Sequence, residues 1–154
     1  MAQAASKKLS ILSNVRRYFI SEHLLNLYTA QVRSRMEYCS HLLDGAAKYH
    51  LEALDLVDRR ARRSINNEKL SNSRLHTLEH RRRVASLSVF YRIHFGECSK
   101  ALFKLVESSP FLYRTTRRRQ KFHPYVVDIP KIRTKRFDSS FLVRVAKIWN
   151  DLPG

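Results

Sequence analysis

Histidine beside glutamate is the first chemistry to test, and His76-Thr77-Leu78-Glu79-His80 spells H-x-x-E-H. On a helix that order sets two histidines one turn apart as metal ligands, with the intervening glutamate as base. Here Arg81, Arg82 and Arg83 follow at once and repel a divalent cation, and no distant carboxylate is marked as a third ligand. The pair reads as flanking a helix start. Asp55 and Asp58 could share acid and base work one turn apart, yet Arg59 and Arg62 stand within a turn of them, which predicts local ion pairing. Cys39 and His41, two positions apart on a helix, point to different sides and make a poor nucleophile and base by themselves. Gly45, Gly96 and Gly154 are too scattered to cradle a phosphate. These residues predict no catalytic centre, no metal and no cofactor, and the chain is expected not to be an enzyme on its own.

Positive charge is the stronger signal. Thirty Lys and Arg face 13 Asp and Glu, a net charge of +17. Residues 59–83 hold nine of the basic residues against two acidic ones, and residues 114–136 hold nine against one, which leaves little excess elsewhere. Two concentrated blocks call for a polyanion more than for solubility. The expected phosphate contacts are Arg59, Arg60, Arg62, Arg63, Arg81, Arg82 and Arg83 on a folded body, and Arg117, Arg118, Arg119 and Lys121 on a C-terminal arm. In that arm Phe122, His123, Tyr125 and Phe137 offer rings on which unpaired bases could stack. The competing structural explanation is that arginines near a helix end complement its dipole, while Tyr125 and Phe137 anchor the arm.

Helices must position these groups. Leu9 and Leu12, with Phe19, share a side of an amphipathic first helix over Ala2–Phe19, and Ser21 is placed to cap a second. In the second, Leu25, Tyr28, Val32, Met36, Cys39 and Leu43 recur at steps of three and four up to Gly45. A third helix from about Lys48 to Asn66 buries Leu51, Leu54, Val57, Ala61 and Ile65, and residues 67–76 read as a polar connection. The stretch Arg81–Phe103 forms the central helix, apolar on nearly every side between Val84 and Ile93 and so expected to be covered on several faces. Gly96 stops it, and Ser99 caps a short helix carrying Ala101, Leu102, Leu105 and Val106. Tyr125–Ile129, between two prolines, reads as extended, and Ser139 or Ser140 caps a last short helix with Phe141, Leu142, Val145, Ile148 and Trp149.

The fold class expected is mainly α: a bundle of about five helices over residues 1–107, and over 108–154 a basic, partly extended arm that docks through Phe137, Phe141 and Trp149 and is not an independent domain. No stretch approaches the ~18 apolar residues of a membrane span. Two distant cysteines, Cys39 and Cys98, fit a reducing compartment, so an intracellular location, nucleus or cytoplasm, is expected.

Four blocks in fixed order carry a resemblance. They are Gln31-Val32-Arg33-Ser34-Arg35-Met36-Glu37-Tyr38-Cys39-Ser40-His41-Leu42; Leu54-Asp55-Leu56-Val57-Asp58-Arg59-Arg60-Ala61; Arg82 to Leu87 through Phe90-Tyr91-Arg92-Ile93 to Gly96-Glu97-Cys98-Ser99; and Arg136-Phe137 through Ser140-Phe141-Leu142 to Trp149-Asn150-Asp151-Leu152-Pro153. Together they resemble the region after the polymerase core in reverse transcriptases of non-LTR retrotransposons, jockey-like elements in particular. Ser34 stands where that family often has Pro, and Leu43 where it often has Trp. The resemblance implies a thumb-side, post-polymerase segment that grips template and primer backbone. The metal-holding aromatic-x-Asp-Asp turn of those polymerases is not here, since the chain has no adjacent aspartates. The partners implied are RNA or DNA and a polymerase core supplied by another chain. The rival expectation is a protein-interaction module, or a relic without function, whose apolar surface packs on such a core or self-associates and whose arm meets an acidic partner.

Overall fold

Apolar side chains three and four apart make helices, and the computed structural model, which describes residues 1–106 and 125–153, is mainly α. The chain divides into two compact units, Met1–Arg83 and Val84–Gly154. This division differs from the expected boundary near residue 107. It falls inside one long helix, because that helix contributes Leu78 to one core and Phe90 and Ile93 to the other.

In the first unit, α1 (Ala2–Val15) buries Ala5 and Leu9 and ends in a 3-10 turn, Arg16–Tyr18. The first helix was expected to run to Phe19 with that ring on its apolar side. Instead Phe19 is extended and exposed. The second helix is α2 (Ser21–Tyr28), a π turn at Thr29–Arg33, and α3 (Ser34–Glu37). Two hydroxyls mark the wider turn: Thr29 Oγ1 donates to the Leu25 carbonyl at 2.8 Å, and Ser34 Oγ donates to the Ala30 carbonyl at 2.6 Å. Such back-bonding four residues up a helix loosens the backbone ladder, and the π turn brings both Val32 and Arg33 inward. The apolar stripe therefore stops at Met36. Tyr38 is extended and Cys39 left-handed, with φ 52°, before a single turn α4 (Ser40–Leu43), so the unbroken stripe expected up to Leu43 is not realised.

Helix α5 (Lys48–Ile65) matches its expected span and buries Leu54, Val57, Ala61 and Ile65 against α1 and α2. Asn66 closes it in the left-handed region, donating its N–H to the Arg62 carbonyl at 3.3 Å, as a short polar side chain allows. The residues expected as a connection contain α6 (Glu68–Arg74), which places Ser71 and the following Leu75 inside. Thr77 then starts α7 (Leu78–His94), its Oγ1 accepting from the His80 N–H at 3.1 Å.

In the second unit, α7 ends where expected. Gly96, at φ +74°, donates to the Ile93 carbonyl, and the Glu97 N–H reaches back to the Arg92 carbonyl at 2.9 Å, the paired bonds of a Schellman end. A short helix, α8 (Lys100–Phe103), follows; Leu102 and Leu105 stay exposed and Val106 is buried. Beyond the segment from Tyr125 to Thr134 lie α9 (Lys135–Asp138), capped by Thr134, and α10 (Phe141–Asn150), which begins after Ser140. The core joins Phe90 and Ile93 to Val127, Val145, Ala146 and Trp149, with the Phe90 and Trp149 rings 5.4 Å apart. In Tyr125–Ile129, Tyr125 lies in a turn and Val127 in a single β-bridge. Asn150 also holds this segment with its side chain, accepting from the Val127 N–H and donating to the Val127 carbonyl at 3.0 Å each, while Trp149 Nε1 donates to the Tyr125 carbonyl at 2.7 Å. Coverage of α7 on all sides is not realised: Val84 and Tyr91 remain exposed. Among the described residues no helix is long and apolar enough to cross a membrane.

Candidate nucleic-acid interface

The arginines of α5 sort by angle. At about 100° per residue, Leu54, Val57, Asp58, Ala61 and Ile65 fall within one inward arc, and Arg59, Arg60 and Arg63 fall on the opposite side. All three are exposed, and among the described residues none has a hydrogen bond or carboxylate partner. Arg62 lies at the edge of the buried arc and is taken up by the fold. Its Nε donates to Asp58 Oδ2 at 2.8 Å, and its Nη2 donates to the carbonyls of Leu75 and His76 at 3.3 and 3.2 Å.

Asp58 is the hub of a buried network. Tyr28 Oη donates to Asp58 Oδ1 at 2.5 Å, and Arg33 Nη1 donates to the same oxygen at 3.3 Å. Arg33 also donates to Glu37 Oε1 at 2.7 Å and to the His76 carbonyl. Glu37 in turn accepts from Arg81 Nη2 at 3.0 Å. A charge-assisted web of this kind offsets the desolvation of its members only while every partner is present. Burial, then the neighbouring Asp58 carboxylate, raises the Tyr28 phenol well above its ordinary range.

The second arginine cluster divides in the same way. Arg81 is committed to Glu37. Arg82, 5% exposed, donates from Nη1 to Asp55 Oδ1 at 3.3 Å and is a correction to the expected set, since a guanidinium enclosed at a helix-helix contact presents no donors to a phosphate. Arg83 is exposed and has no partner among the described residues. The pairing expected at Asp55 and Asp58 is thus realised with Arg82, Arg62 and Arg33, while Arg59 takes no part. Arg117, Arg118, Arg119, Lys121, Phe122 and His123 lie outside the described residues. Tyr125 is exposed, its ring 5.5 Å from Phe95 and 6.1 Å from His94, and Phe137 lines an apolar groove with Phe90, Val106 and Phe141.

The H-x-x-E-H residues do not share a helix: His76 precedes α7, its carbonyl accepts from Arg33 and Arg62, and its ring lies 5.0 Å from that of His80. Among the described residues no three histidines, cysteines or carboxylates stand together as metal ligands.

Sequence reasoning missed two cations. Arg16 and Arg17, on the 3-10 turn after α1, line a groove of about 460 Å³ with Phe19, Arg63, Ser64 and Asn66. Arg63 and Asn66 also line a neighbouring groove with Arg62, Ser71 and Asn72. The signal for Arg16 was in the sequence, as an Arg-Arg-aromatic-aromatic string, but its meeting with Arg63 depends on the packing of α1 against α5. Comparison of the chain with protein-family models, with curated proteins and with solved structures gives no match.

Proposed function

We propose that this chain is a non-catalytic, nucleic-acid-gripping segment of the kind that follows the polymerase core in non-LTR retrotransposon reverse transcriptases, acting inside the cell, in nucleus or cytoplasm. It holds RNA or DNA by the phosphate backbone, through Arg59, Arg60 and Arg63 on α5 and through Arg83. The observation that carries this reading is the division of labour on α5: Arg62, on the inward edge, bonds a carboxylate and two carbonyls, and the three arginines of the outer arc have no partner among the described residues. Unpaired guanidiniums lying one turn apart on a rigid helix supply a non-specific phosphate contact. The ordered sequence blocks point to a retroelement origin, and the Arg117–Lys121 run adds charge in the same chain.

The test compares two triple variants of equal net charge against a structured RNA and a duplex DNA at low salt. R59Q/R60Q/R63Q removes the arc, and K7Q/R35Q/K48Q removes three scattered cations. The arc variant is expected to lose about tenfold or more in affinity for both nucleic acids, whatever their sequence, and the scattered variant much less. Equal losses would reduce the effect to net charge and end the proposal.

A second reading, a protein-interaction module that packs on a polymerase core or self-associates, draws on the exposure of Ile11, Ile20, Tyr38, Leu42 and Tyr49. Size-exclusion with light scattering separates the two. Oligomers indifferent to added RNA favour the interaction module, whereas a monomer that shifts with RNA favours the grip.

A further inference from the structure

The α1–α2 elbow is unusual in what it leaves in water. Tyr18 is 71% exposed, Phe19 42% and Ile20 62%, and these three sit between Arg16-Arg17 on one side and the start of α2 on the other. Single exposed aromatics are ordinary, but a run of them flanked by cations is a surface with a use. Phe19 and Ile20 are both extended, with φ −126° and −72°, so consecutive side chains leave the elbow in opposite directions. Phe19 goes into the groove with Arg16, Arg17 and Arg63. The Arg17 guanidinium, which lines the groove, lies 5.0 Å from the centre of the Tyr18 ring, a cation–π pair that holds a ring and a charge side by side.

Three features of the groove define its occupant. Its lining has three arginines and no carboxylate, so it lacks an internal counter-ion and calls for an anion. The ring of Phe19 lies among those cations, which suits a ligand with a flat face attached to its negative charge. At about 460 Å³ the groove has the size of a small-ligand site, enough for a nucleotide but not for a double helix, whose base faces are in any case hidden in their own stack. Arg63 and Asn66 also line the neighbouring groove that holds Arg62 and Asn72, so the two grooves lie side by side at the end of α5.

We propose that this elbow is a binding site for an unpaired nucleic-acid strand, with Phe19 and Tyr18 stacking on bases and Arg16, Arg17 and Arg63 holding the adjacent phosphates. The inference rests on the nucleic-acid reading above and adds to it a preference for single strands.

The experiment measures binding of the full chain to a fluorescently labelled oligothymidine and to a duplex of equal length by anisotropy, for wild type, Y18A/F19A, R59Q/R60Q/R63Q and F19W. The aromatic variant is expected to weaken single-strand binding by about tenfold or more and to leave the duplex within about twofold, since stacking is lost but phosphate contacts stay. In F19W the single strand is expected to quench indole fluorescence beyond the change seen from Trp149 in wild type. Far-UV circular dichroism confirms that Y18A/F19A remains helical, and F19W gives a readout that does not depend on removing a ring. If the arc variant weakens both ligands while Y18A/F19A weakens neither and F19W shows no quenching, the strand site is wrong and the general grip stands. If wild type binds neither ligand, both fall. If Y18A/F19A abolishes self-association without affecting strand affinity, the elbow is a protein contact and the strand proposal is overturned.

Discussion

At the scale of single residues, the decisive difference is between arginines that hold the fold and arginines that face water. Arg62 and Arg63 are neighbours, yet only Arg62 bonds Asp58 and the carbonyls of Leu75 and His76. Arg62→Gln is expected to lower stability by about 1–3 kcal/mol, and Arg63→Gln to stay within about 0.5 kcal/mol, by urea denaturation. Asp58→Ala strips Arg33 of a buried counter-charge and is expected to cost about 3–5 kcal/mol. Tyr28 makes the same network sensitive to alkali. Its folded pKa is raised above the ordinary 10.0, so the stabilisation is complete below that pH. At higher pH the unfolded phenol loses its proton while the folded one keeps it; the unfolded state then binds fewer protons, and stability falls as pH rises. The urea midpoint of wild type is therefore expected to drop more steeply above pH 10 than that of Tyr28→Phe, and parallel profiles would contradict the role given to Tyr28. The Asp58–Arg62 pair was legible in the sequence because it spans one helical turn. Arg33 and Tyr28 were not, because they lie 25 and 30 residues from Asp58 and meet it only through packing.

Among the elements, those with a clear period and a clear stop were readable. α5 runs as its apolar spacing predicts to Asn66, and α7 stops at Gly96. Gly96 gives an element-level prediction. A Cβ there would meet only Phe103 Cδ2 at 3.9 Å, an ordinary contact, so Gly96→Ala should cost about 1 kcal/mol through the positive φ alone. Thermal unfolding checks this; no loss would mean that the turn relaxes to another end. The elements missed were those governed by local hydrogen bonds with little periodic signal. The π turn at Thr29–Arg33 depends on hydroxyl bonding to the helix backbone, and α6 sits in a polar stretch in which Ser71 and the following Leu75 are the buried members among the described residues. Tyr125–Ile129 was expected as extended and holds a single bridge residue, Val127, whose backbone is also bonded by an asparagine side chain on α10, a contact no local pattern announces.

For the molecule as a whole there are two cores, and α7 contributes Leu78 to the first and Phe90 and Ile93 to the second. The second core has a built-in reporter, since Trp149, the sole tryptophan, packs on Phe90. Phe90→Ala should cost about 3–5 kcal/mol in that unit and expose the indole, seen as a red shift of tryptophan emission at low urea. An unshifted spectrum would contradict the packing. The mainly α class was legible from composition and spacing. The placement of the cationic surface was legible only in part, because the sequence shows which residues are basic but not which carboxylates the fold brings to them. Arg81 and Arg82 illustrate this: both stand in the densest run of charge, and both are held by acidic residues of earlier helices.

The measurement closest to the central claim is the dependence of nucleic-acid affinity on salt, for wild type and for R59Q/R60Q/R63Q. Each phosphate neutralised contributes about 0.9 to the slope of log affinity against log salt on duplex DNA and about 0.7 on a single strand. Wild type should lose affinity steeply with salt, and the variant's slope should be shallower by about two to three. Superimposable slopes, or a wild-type affinity that salt leaves unchanged, would mean that the outer arc of α5 does not hold a phosphate backbone.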